Sequence, residues 1–371
     1  MRTTRAAVLR EPGTEYEIVE LEVVDPGPGE VLIEMAYAGL CHSDEHLRHS
    51  NPGGRYPIVG GHEGSGVVQA VGPGVTSVAP GDHVVTSFLP ACGHCRFCAS
   101  GRSNLCDKGA TIAIGQLPSG TFPFRLDGEP LGGFCMVGAF AQHSLLSEFS
   151  CVRIEPHVPL DTAALVACSV PTGWGSAVYS GGVRPGDTVV VVGLGGIGMN
   201  AVQGAVMAGA RHVVVIDPVE WKRDLALSTF GATHAAASMA EATEIVGQIT
   251  WGKNADKAIL TTGVATGDLI APLLSLVAGG GRGVVVSVAP ISQNQVDLNL
   301  FEFAMSRKQL VGCIFGNANP RYDIPKLLRL YDEGKLKLDE LVTNTYDLSE
   351  INQGYQDMRD GKNIRGVISY A

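Results

Sequence analysis

A glycine-rich turn between two runs of β-branched residues constrains this chain most strongly. Residues 188–192 form an uncharged run before the turn, and a second run, residues 213–216, ends immediately before Asp217. Apolar residues recur at helical spacing between the turn and the second run, and uncharged β-branched runs are typical of buried parallel strands. The pattern therefore predicts a strand, a tight turn, a helix and a second strand. The turn contains Gly193, Gly195, Gly196 and Gly198.

The order of these features indicates a dinucleotide site. Gly193 suits the tight turn, Gly195 lets a pyrophosphate approach the backbone, and Gly198 allows close contact between helix and strand. The first turn of the helix offers free N–H groups to the phosphates. A carboxylate at Asp217 would bind the ribose hydroxyls and repel a 2′-phosphate, so NAD is favoured over NADP.

Length and charge limit the remaining possibilities. A chain of 371 residues is too long for one core and suits two domains. Its net charge of −10 argues against a nucleic-acid or anionic-membrane partner. The first residues lack an apolar signal segment, and no apolar run approaches the roughly 20 residues of a membrane span. We therefore expect a cytoplasmic protein.

The closely spaced cysteines predict a metal site. Four thiols on one short segment are a strong signature of a closed tetrahedral zinc site, with an iron–sulfur cluster or free thiols as the alternatives. A closed site has no open coordination position, so its role would be structural. His94 lies in the same segment and is expected to be an exposed side chain, not a fifth ligand. The four residues are Cys92, Cys95, Cys98 and Cys106.

The rest of the chain indicates an α/β protein with a β-rich part. Short alternating runs separated by Pro-Gly turns occupy the first 90 or so residues. Residues 110–133 contain several prolines and glycines, which favour a lid or binding loop. After Asp217, helical and strand patterns alternate, as expected for a doubly wound parallel sheet. Residues 363–370 predict a terminal strand that rejoins the first domain.

Two further segments contain side chains suited to a second metal site. Residues 41–46 include a cysteine, a serine, two acids and two histidines, and residues 60–64 place His62 and Glu63 between glycines. Cys168 stands alone just before the glycine-turn unit. Taken by itself, Cys168 would be a buried small hydrophobic residue.

Together, in this order and across essentially the whole chain, these motifs resemble those of the zinc-dependent medium-chain alcohol dehydrogenases. The resemblance implies a GroES-like catalytic domain at 1–169 and 315–371 with both zinc sites, and a Rossmann NAD-binding domain at 170–314. Among relatives, the chain looks most similar to the actinobacterial nicotinoprotein enzymes. Those enzymes keep NAD bound and are assayed with the dye N,N-dimethyl-4-nitrosoaniline (NDMA).

The resemblance also assigns roles at the second zinc site. The catalytic zinc would be held by Cys41, His62 and Cys168, with Glu63 as an acid able to approach it. Ser43 and His46 match the hydroxyl and the imidazole of a proton relay, although His46 would otherwise be an ordinary surface histidine. The ligand set suits a zinc that lowers the pKa of an alcohol, so that hydride can pass to the nicotinamide.

The cofactor and substrate contacts follow from the same resemblance. His42 replaces the arginine of the dimeric animal and plant enzymes, so one phosphate contact is expected to be weaker or pH-dependent. Arg365 matches an arginine near the pyrophosphate. Val288, with Phe88 and Phe134, falls where the family lines an apolar substrate channel, although each could equally be core. The assigned NAD contacts are His42, Thr172, Gly193, Gly195, Gly196, Ile197, Gly198, Asp217, Lys222, Val288, Phe315 and Arg365.

Rival functions remain at this point. The residues that grip glutathione in formaldehyde dehydrogenases would align on Pro52 and Ala110, which argues against glutathione but not against another thiol such as mycothiol. A zinc-free reductase of the same fold would not need Cys41, His62 and Cys168 together. A zinc-binding interaction module would leave the glycine turn unexplained. We expect a homo-oligomer, either a dimer or a tetramer, acting on a small alcohol or aldehyde.

Overall fold

The computed structural model describes residues 1–49 and 54–370, which divide into two compact units. One unit combines Met1–Cys168 with Asn319–Ala371, and we call it the split unit. The other, Ser169–Ala318, is the continuous unit. Within the described residues, no helix has the length and apolar character needed to cross a bilayer.

The strands and helices are numbered along the chain. The strands are β1 Arg2–Leu9, β2 Glu17–Val23, β3 Glu30–Gly39, β4 Ile58–Val59, β5 Gly64–Val71, β6 His83–Thr86, β7 Phe124–Leu126, β8 Glu129–Gly133, β9 His143–Ser147, β10 Cys151–Arg153, β11 Thr188–Val192, β12 His212–Ile216, β13 His234–Ala236, β14 Ala255–Leu260, β15 Val277–Val285, β16 Gln309–Gly312, β17 Val342–Asp347 and β18 Arg365–Ser369. The helices are α1 His42–His49, α2 Arg96–Ala99, α3 Leu160–Leu165, α4 Ser169–Gly175, α5 Gly196–Met207, α6 Glu220–Leu225, α7 Met239–Ile249, α8 Ile270–Ser275, α9 Leu300–Met305, α10 Pro320–Asp332 and α11 Ile351–Arg359.

The split unit is built from a small barrel and a larger sheet. The barrel closes in the order β1, β2, β7, β8, β4, and its interior contains buried apolar side chains such as Phe124 and Met136. The sheet runs β10, β6, β5, β3, β18, β17, with β9 also paired to β3. The C-terminal strand β18 pairs antiparallel with β3, which confirms that the end of the chain rejoins the first domain.

The segment expected to be a lid is partly an ordered hairpin. Within residues 110–133, β7 and β8 pair antiparallel around Asp127 and Gly128. Both turn residues have positive φ, 54° and 82°, the conformation that favours Asp-Gly in a two-residue hairpin. The prediction of a loop was therefore wrong for this part, because Asp127 and Gly128 are a hairpin signal. The hairpin instead closes the barrel between β2 and β4.

The continuous unit has the doubly wound sheet that the sequence predicted. Its parallel strands run β13, β12, β11, β14, β15, β16, the order 3-2-1-4-5-6 of dinucleotide-binding folds. All five residues of β11 are buried, as expected for a central strand covered on both faces. This order places the first strand, and the glycine turn after it, beside the point where the strand order reverses.

Candidate functional site

Four buried side chains of the split unit form a candidate metal centre. Cys41 precedes α1, His62 and Glu63 connect β4 to β5, and Cys168 follows α3. One potential ligand atom from each of the four residues lies within 4.8 Å of the corresponding atoms of the others. The structure thus brings together the three predicted zinc ligands and the acid beside them.

The orientation of His62 is set by Asp44, which sequence analysis did not identify. His62 Nδ1 lies 3.0 Å from Asp44 Oδ2, and Asp44 Oδ1 accepts a hydrogen bond from the Gly61 N–H at 2.8 Å. His62 Nε2 has no hydrogen-bond partner among the described residues, so it is available to a metal. A carboxylate behind a ligating imidazole is the usual arrangement. Asp44 belongs to the polar segment 41–46, but nothing in the sequence linked it to His62.

A hydrogen bond between the two thiols favours the thiolate form of Cys41. A hydrogen bond from the Cys168 thiol lowers the pKa of Cys41 well below its usual value, although burial opposes this. The same shared proton, together with burial, raises the pKa of Cys168. Burial disfavours a charged His62, but Asp44 and Cys41 outweigh it and raise the imidazole pKa. Two thiols and one imidazole whose Nε2 makes no hydrogen bond are ligands that suit zinc. A metal ion that binds here would displace the protons on the two sulfur atoms and on Nε2.

Glu63 forms a buried ion pair with Arg365 of β18. Burial raises the pKa of Glu63 to about 8, although the guanidinium of Arg365 acts in the opposite direction. Gly39 leaves room for this pair, because a Cβ there would collide with both side chains. We predicted that Arg365 contacts the pyrophosphate, and the structure places its guanidinium on the acid beside the metal centre.

The predicted relay residues share one face of α1. Ser43 and His46 are separated by three positions, the spacing of neighbours on a helix, and both are partly buried. Ser43 Oγ lies 3.7 Å from Cys41 Sγ, so the hydroxyl adjoins the metal centre. His42 is exposed at the first position of the same helix.

Two phenyl rings lie against the His62 imidazole. The centroids of Phe88 and Phe134 are 5.6 and 5.5 Å from that of His62, with rings nearly perpendicular to it. Both are partly buried. They form an apolar border beside the metal centre, where the resemblance placed a substrate channel.

The four-cysteine segment forms a second candidate metal centre. The four sulfur atoms lie within 4.8 Å of one another, and all four thiols are free of disulfides. The Cys95 and Cys98 N–H groups lie 3.4 and 3.5 Å from the Cys92 and Cys95 sulfurs, respectively, and donate to them. Backbone hydrogen bonds, first from Cys98, lower the pKa of Cys95 to about 6. Such donors stabilise thiolates, the form that zinc requires.

His94 is exposed and is not one of this set of sulfur ligands. Its Nδ1 lies 2.9 Å from the Cys92 carbonyl oxygen.

In the glycine turn of the continuous unit, backbone segments pack so closely that two of the glycines have no room for a side chain. Gly193 has φ = 96°, and a Cβ there would lie 2.9 Å from the backbone of Thr261. At Gly198 a Cβ would collide with the Gly193 carbonyl oxygen, whereas at Gly195 no heavy atom lies within 4 Å. Gly195 is also the N-cap of α5 and supplies no capping side chain. The first N–H groups of α5 are therefore available to an anion on the open side at Gly195.

Asp217 is held rigidly at the end of β12. Its carboxylate accepts hydrogen bonds from the Leu194 N–H at 2.8 Å and the Val219 N–H at 2.9 Å. These bonds join the acid to the glycine turn. Burial lowers the pKa of the nearby Lys222, and the charge of Asp217 partly offsets that effect. The turn, Asp217 and Lys222 therefore form one candidate site, with the partly buried Ile197 in the first turn of α5.

Thr172 and Phe315 lie near this turn. Gly173 brings α4 into close contact with α5, because a Cβ there would collide with the Ile197 carbonyl oxygen. Thr172 Oγ1 is buried and has no hydrogen-bond partner in the described part of the chain, so it is available to a ligand. Phe315 is buried, and the adjacent Gly316 lies against the Pro171 carbonyl oxygen. These features fit a bound dinucleotide. Val288 lies after β15 and is about half exposed.

One of the two positions that align with the glutathione-binding residues lies among the described residues. Ala110 is exposed after a short 3₁₀ turn, Asp107–Gly109. Pro52 lies outside the described residues.

Comparisons with known proteins agree with this architecture. Residues 27–156 match the family described as alcohol dehydrogenase GroES-like domain, and residues 196–333 match the zinc-binding dehydrogenase family. The split unit thus contains a GroES-like β domain, and the continuous unit has a Rossmann-type sheet.

Individual relatives match over nearly the whole chain. The NDMA-dependent alcohol dehydrogenase of Amycolatopsis methanolica is 53% identical over 368 residues, which cover 99% of each chain. Alcohol dehydrogenase B of Mycobacterium tuberculosis is 46% identical over 99% of this chain and 98% of the relative. The structure of benzyl alcohol dehydrogenase from Acinetobacter calcoaceticus has a TM-score of 0.91, with 29% identity and full coverage of both chains. The chain therefore belongs to the zinc-dependent medium-chain alcohol dehydrogenases, which are NAD-linked oxidoreductases.

Proposed function

We propose that this enzyme transfers a hydride between an apolar alcohol or aldehyde and an NAD molecule that stays bound and is recycled in place. The observation that carries the proposal is the 53% identity to an NDMA-dependent alcohol dehydrogenase over 99% of both chains. The preassembled set of Cys41, His62 and Cys168 supports the chemistry.

Two zinc ions per chain are part of the proposal. Cys41, His62 and Cys168 would hold the catalytic ion, while Cys92, Cys95, Cys98 and Cys106 would hold a structural one. The proposed domain boundaries, 1–169 with 315–371 and 170–314, assign both zinc sites to the GroES-like domain and NAD to the Rossmann domain. When bound at the first site, zinc supplies a Lewis acid that lowers the pKa of the substrate hydroxyl.

The protein side chains perform the remaining steps. Asp44 holds the His62 ring in place, and Arg365 compensates the charge of Glu63. In the proposed relay, Ser43 would take the hydroxyl proton and His46 would return it to water. A bound cofactor would supply the ribose hydroxyl that links the two side chains. Phe88 and Phe134 provide an apolar border that favours an apolar substrate.

NAD would bind to the continuous unit through the glycine turn and Asp217. The pyrophosphate would accept hydrogen bonds from the N-terminus of α5. His42 and Arg365 also belong to the proposed cofactor contacts. Thr172, Lys222, Val288 and Phe315 complete the proposed set.

The proposed partners are a small molecule and further copies of the chain. We expect neither nucleic acid nor membrane, and we place the enzyme in the cytoplasm. The segment from Val288 to Met305 exposes apolar side chains of the kind that self-association covers, which supports a homo-oligomer. These residues are Val288, Ile291, Val296, Leu300, Phe301 and Met305.

Nucleotide release tests whether NAD is retained. Protein purified without added NAD is expected to release close to one NAD per chain when denatured. It should oxidise alcohols with NDMA as the acceptor and show little reduction of free NAD. Released nucleotide is quantified by chromatography, and both turnover rates are measured on the same preparation.

An empty site with rapid reduction of free NAD would contradict the retained-cofactor proposal. Formaldehyde oxidation with and without added mycothiol separates the rival thiol-adduct reaction, which requires the thiol. Turnover of plain alcohols without any thiol supports the present proposal.

Asp217→Ser is expected to relax the preference for NAD over NADP. The substitution removes the carboxylate that repels a 2′-phosphate, and charged hydrogen bonds of this kind change affinity by about 10- to 100-fold. The measurement is the ratio of NAD to NADP affinity in nucleotide-stripped protein. Asp224→Asn, an exposed acid on α6, is the matched control. An unchanged ratio in Asp217→Ser would refute the assignment.

A further inference from the structure

We propose that a left-handed turn at Cys135 and Met136 is a positioning element that holds Phe134 against His62 and thereby limits the bulk of the alcohols that react. The element, residues 134–138, is called the 134–138 turn below. This inference rests on the proposed function, because it concerns which alcohols reach the same metal centre.

The turn has an unusual backbone. Cys135 has φ = 55° and ψ = 28°, and Met136 has φ = 61°. Left-handed conformations are uncommon for residues other than glycine, and two such residues in succession require support from their surroundings. Gly138, two residues later, is also left-handed at φ = 62°. Backbone strain of this kind is concentrated at functional sites.

Backbone hydrogen bonds fix the turn to the segment that carries His62. The Phe134 carbonyl oxygen accepts from the Val137 and Gly138 N–H groups at 3.0 and 3.1 Å. Immediately after the turn, the Ala139 N–H donates to the Gly61 carbonyl oxygen at 2.9 Å. The turn is therefore closed by its own backbone, and the residue immediately after it is bonded to the residue before His62.

Side-chain packing prevents the turn from relaxing. Met136 is fully buried in the barrel core, and its sulfur accepts a hydrogen bond from Thr111 Oγ1 at 3.5 Å. Cys135 is buried as well. Rotating either residue to a right-handed conformation would move a buried side chain out of its packing site. The packing of these buried side chains, and not the turn itself, therefore maintains the strained backbone conformation.

The consequence is a fixed position for the Phe134 ring. Phe134 directly precedes the two strained residues, and its centroid lies 5.5 Å from that of His62 at an interplanar angle of 89°. Phe88 lies at 5.6 Å on the same imidazole. Because substrate bulk is discriminated by rigid contacts, a displacement of Phe134 changes the selectivity for ring-bearing alcohols.

The experiment compares substitutions at Cys135 with a substitution that removes the Phe134 ring. Cys135→Val places a β-branched residue in a conformation that it strongly disfavours, while Cys135→Gly removes the strain and loosens the turn. Phe134→Ala gives the reference effect. Trp251→Val is the matched control, because Trp251 is also left-handed, at φ = 52°, but lies exposed after α7 in the continuous unit.

The readout is the ratio of kcat/KM for benzyl alcohol to that for ethanol, measured with NDMA, beside the melting temperature. We expect both Cys135 variants to shift the ratio in the same direction as Phe134→Ala, by about 10-fold for Cys135→Val. Trp251→Val should lower the melting temperature and leave the ratio unchanged.

The inference is overturned if Phe134→Ala shifts the ratio while both Cys135 variants keep the native value. It is also overturned if Trp251→Val shifts the ratio as much as Cys135→Val, because selectivity would then follow general stability. Absence of alcohol turnover in the unmodified enzyme would instead refute the proposed function.

Discussion

Cys168→Ser is expected to abolish alcohol oxidation while the fold is retained. Cys168 is one of the two thiols proposed to bind zinc beside a single imidazole, and a serine hydroxyl is a far poorer zinc ligand than a thiolate. Loss of a group that merely orients a ligand reduces activity or metal affinity by about 10- to 100-fold. Loss of the ligand itself should therefore reduce kcat/KM by more than about 100-fold.

Elemental analysis should find two zinc ions in the unmodified chain and one in the Cys168→Ser variant. Cys151→Ser is the matched control, because Cys151 is equally buried on β10 in the same unit but belongs to neither ligand set. That variant should retain both ions and most of the activity. If Cys168→Ser keeps two zinc ions and substantial turnover, Cys168 is not a zinc ligand but a buried core residue.

Cys106→Ser should have the largest effect on stability. Without its fourth thiolate the cysteine segment loses a closed coordination sphere, and structural zinc contributes directly to folding free energy. A loss of several kcal/mol would lower the melting temperature by about 5 °C in a chain of this size. Calorimetry and zinc analysis of the same sample check the result, again with Cys151→Ser beside it.

In this variant the remaining zinc should be the catalytic one, so residual alcohol turnover at low temperature is expected. An unchanged melting temperature together with two bound zinc ions would show that Cys106 is not a ligand. Loss of all activity at every temperature would indicate that the two metal centres are not independent.

Local patterns predicted much of this protein. The order of β11, the glycine turn, α5, β12 and Asp217 follows from residues that are close in sequence, and the structure has that order. The cysteine segment was equally accessible, because its ligand spacing is itself the signal. The doubly wound sheet followed from alternating strand and helix patterns and is confirmed.

Contacts between distant segments were not accessible in the same way. The orientation of His62 by Asp44 depends on how α1 is placed against the loop after β4, which no periodicity encodes. The hairpin around Asp127 and Gly128 had a local signal that was overlooked among the neighbouring prolines and glycines. The strain at Cys135 and Met136 has no sequence signal, because neither residue prefers a left-handed conformation.

The ion pair between Glu63 and Arg365 has a consequence for how the protein is made. The two residues are 302 positions apart, and the whole continuous unit lies between them in the chain. During synthesis Glu63 therefore leaves the ribosome long before its cation exists, and a buried acid without that partner is strongly disfavoured. The buried pair beside the candidate metal centre can form only after β18 has been translated, whereas the four thiols of the cysteine segment are close in sequence and can be brought together much earlier.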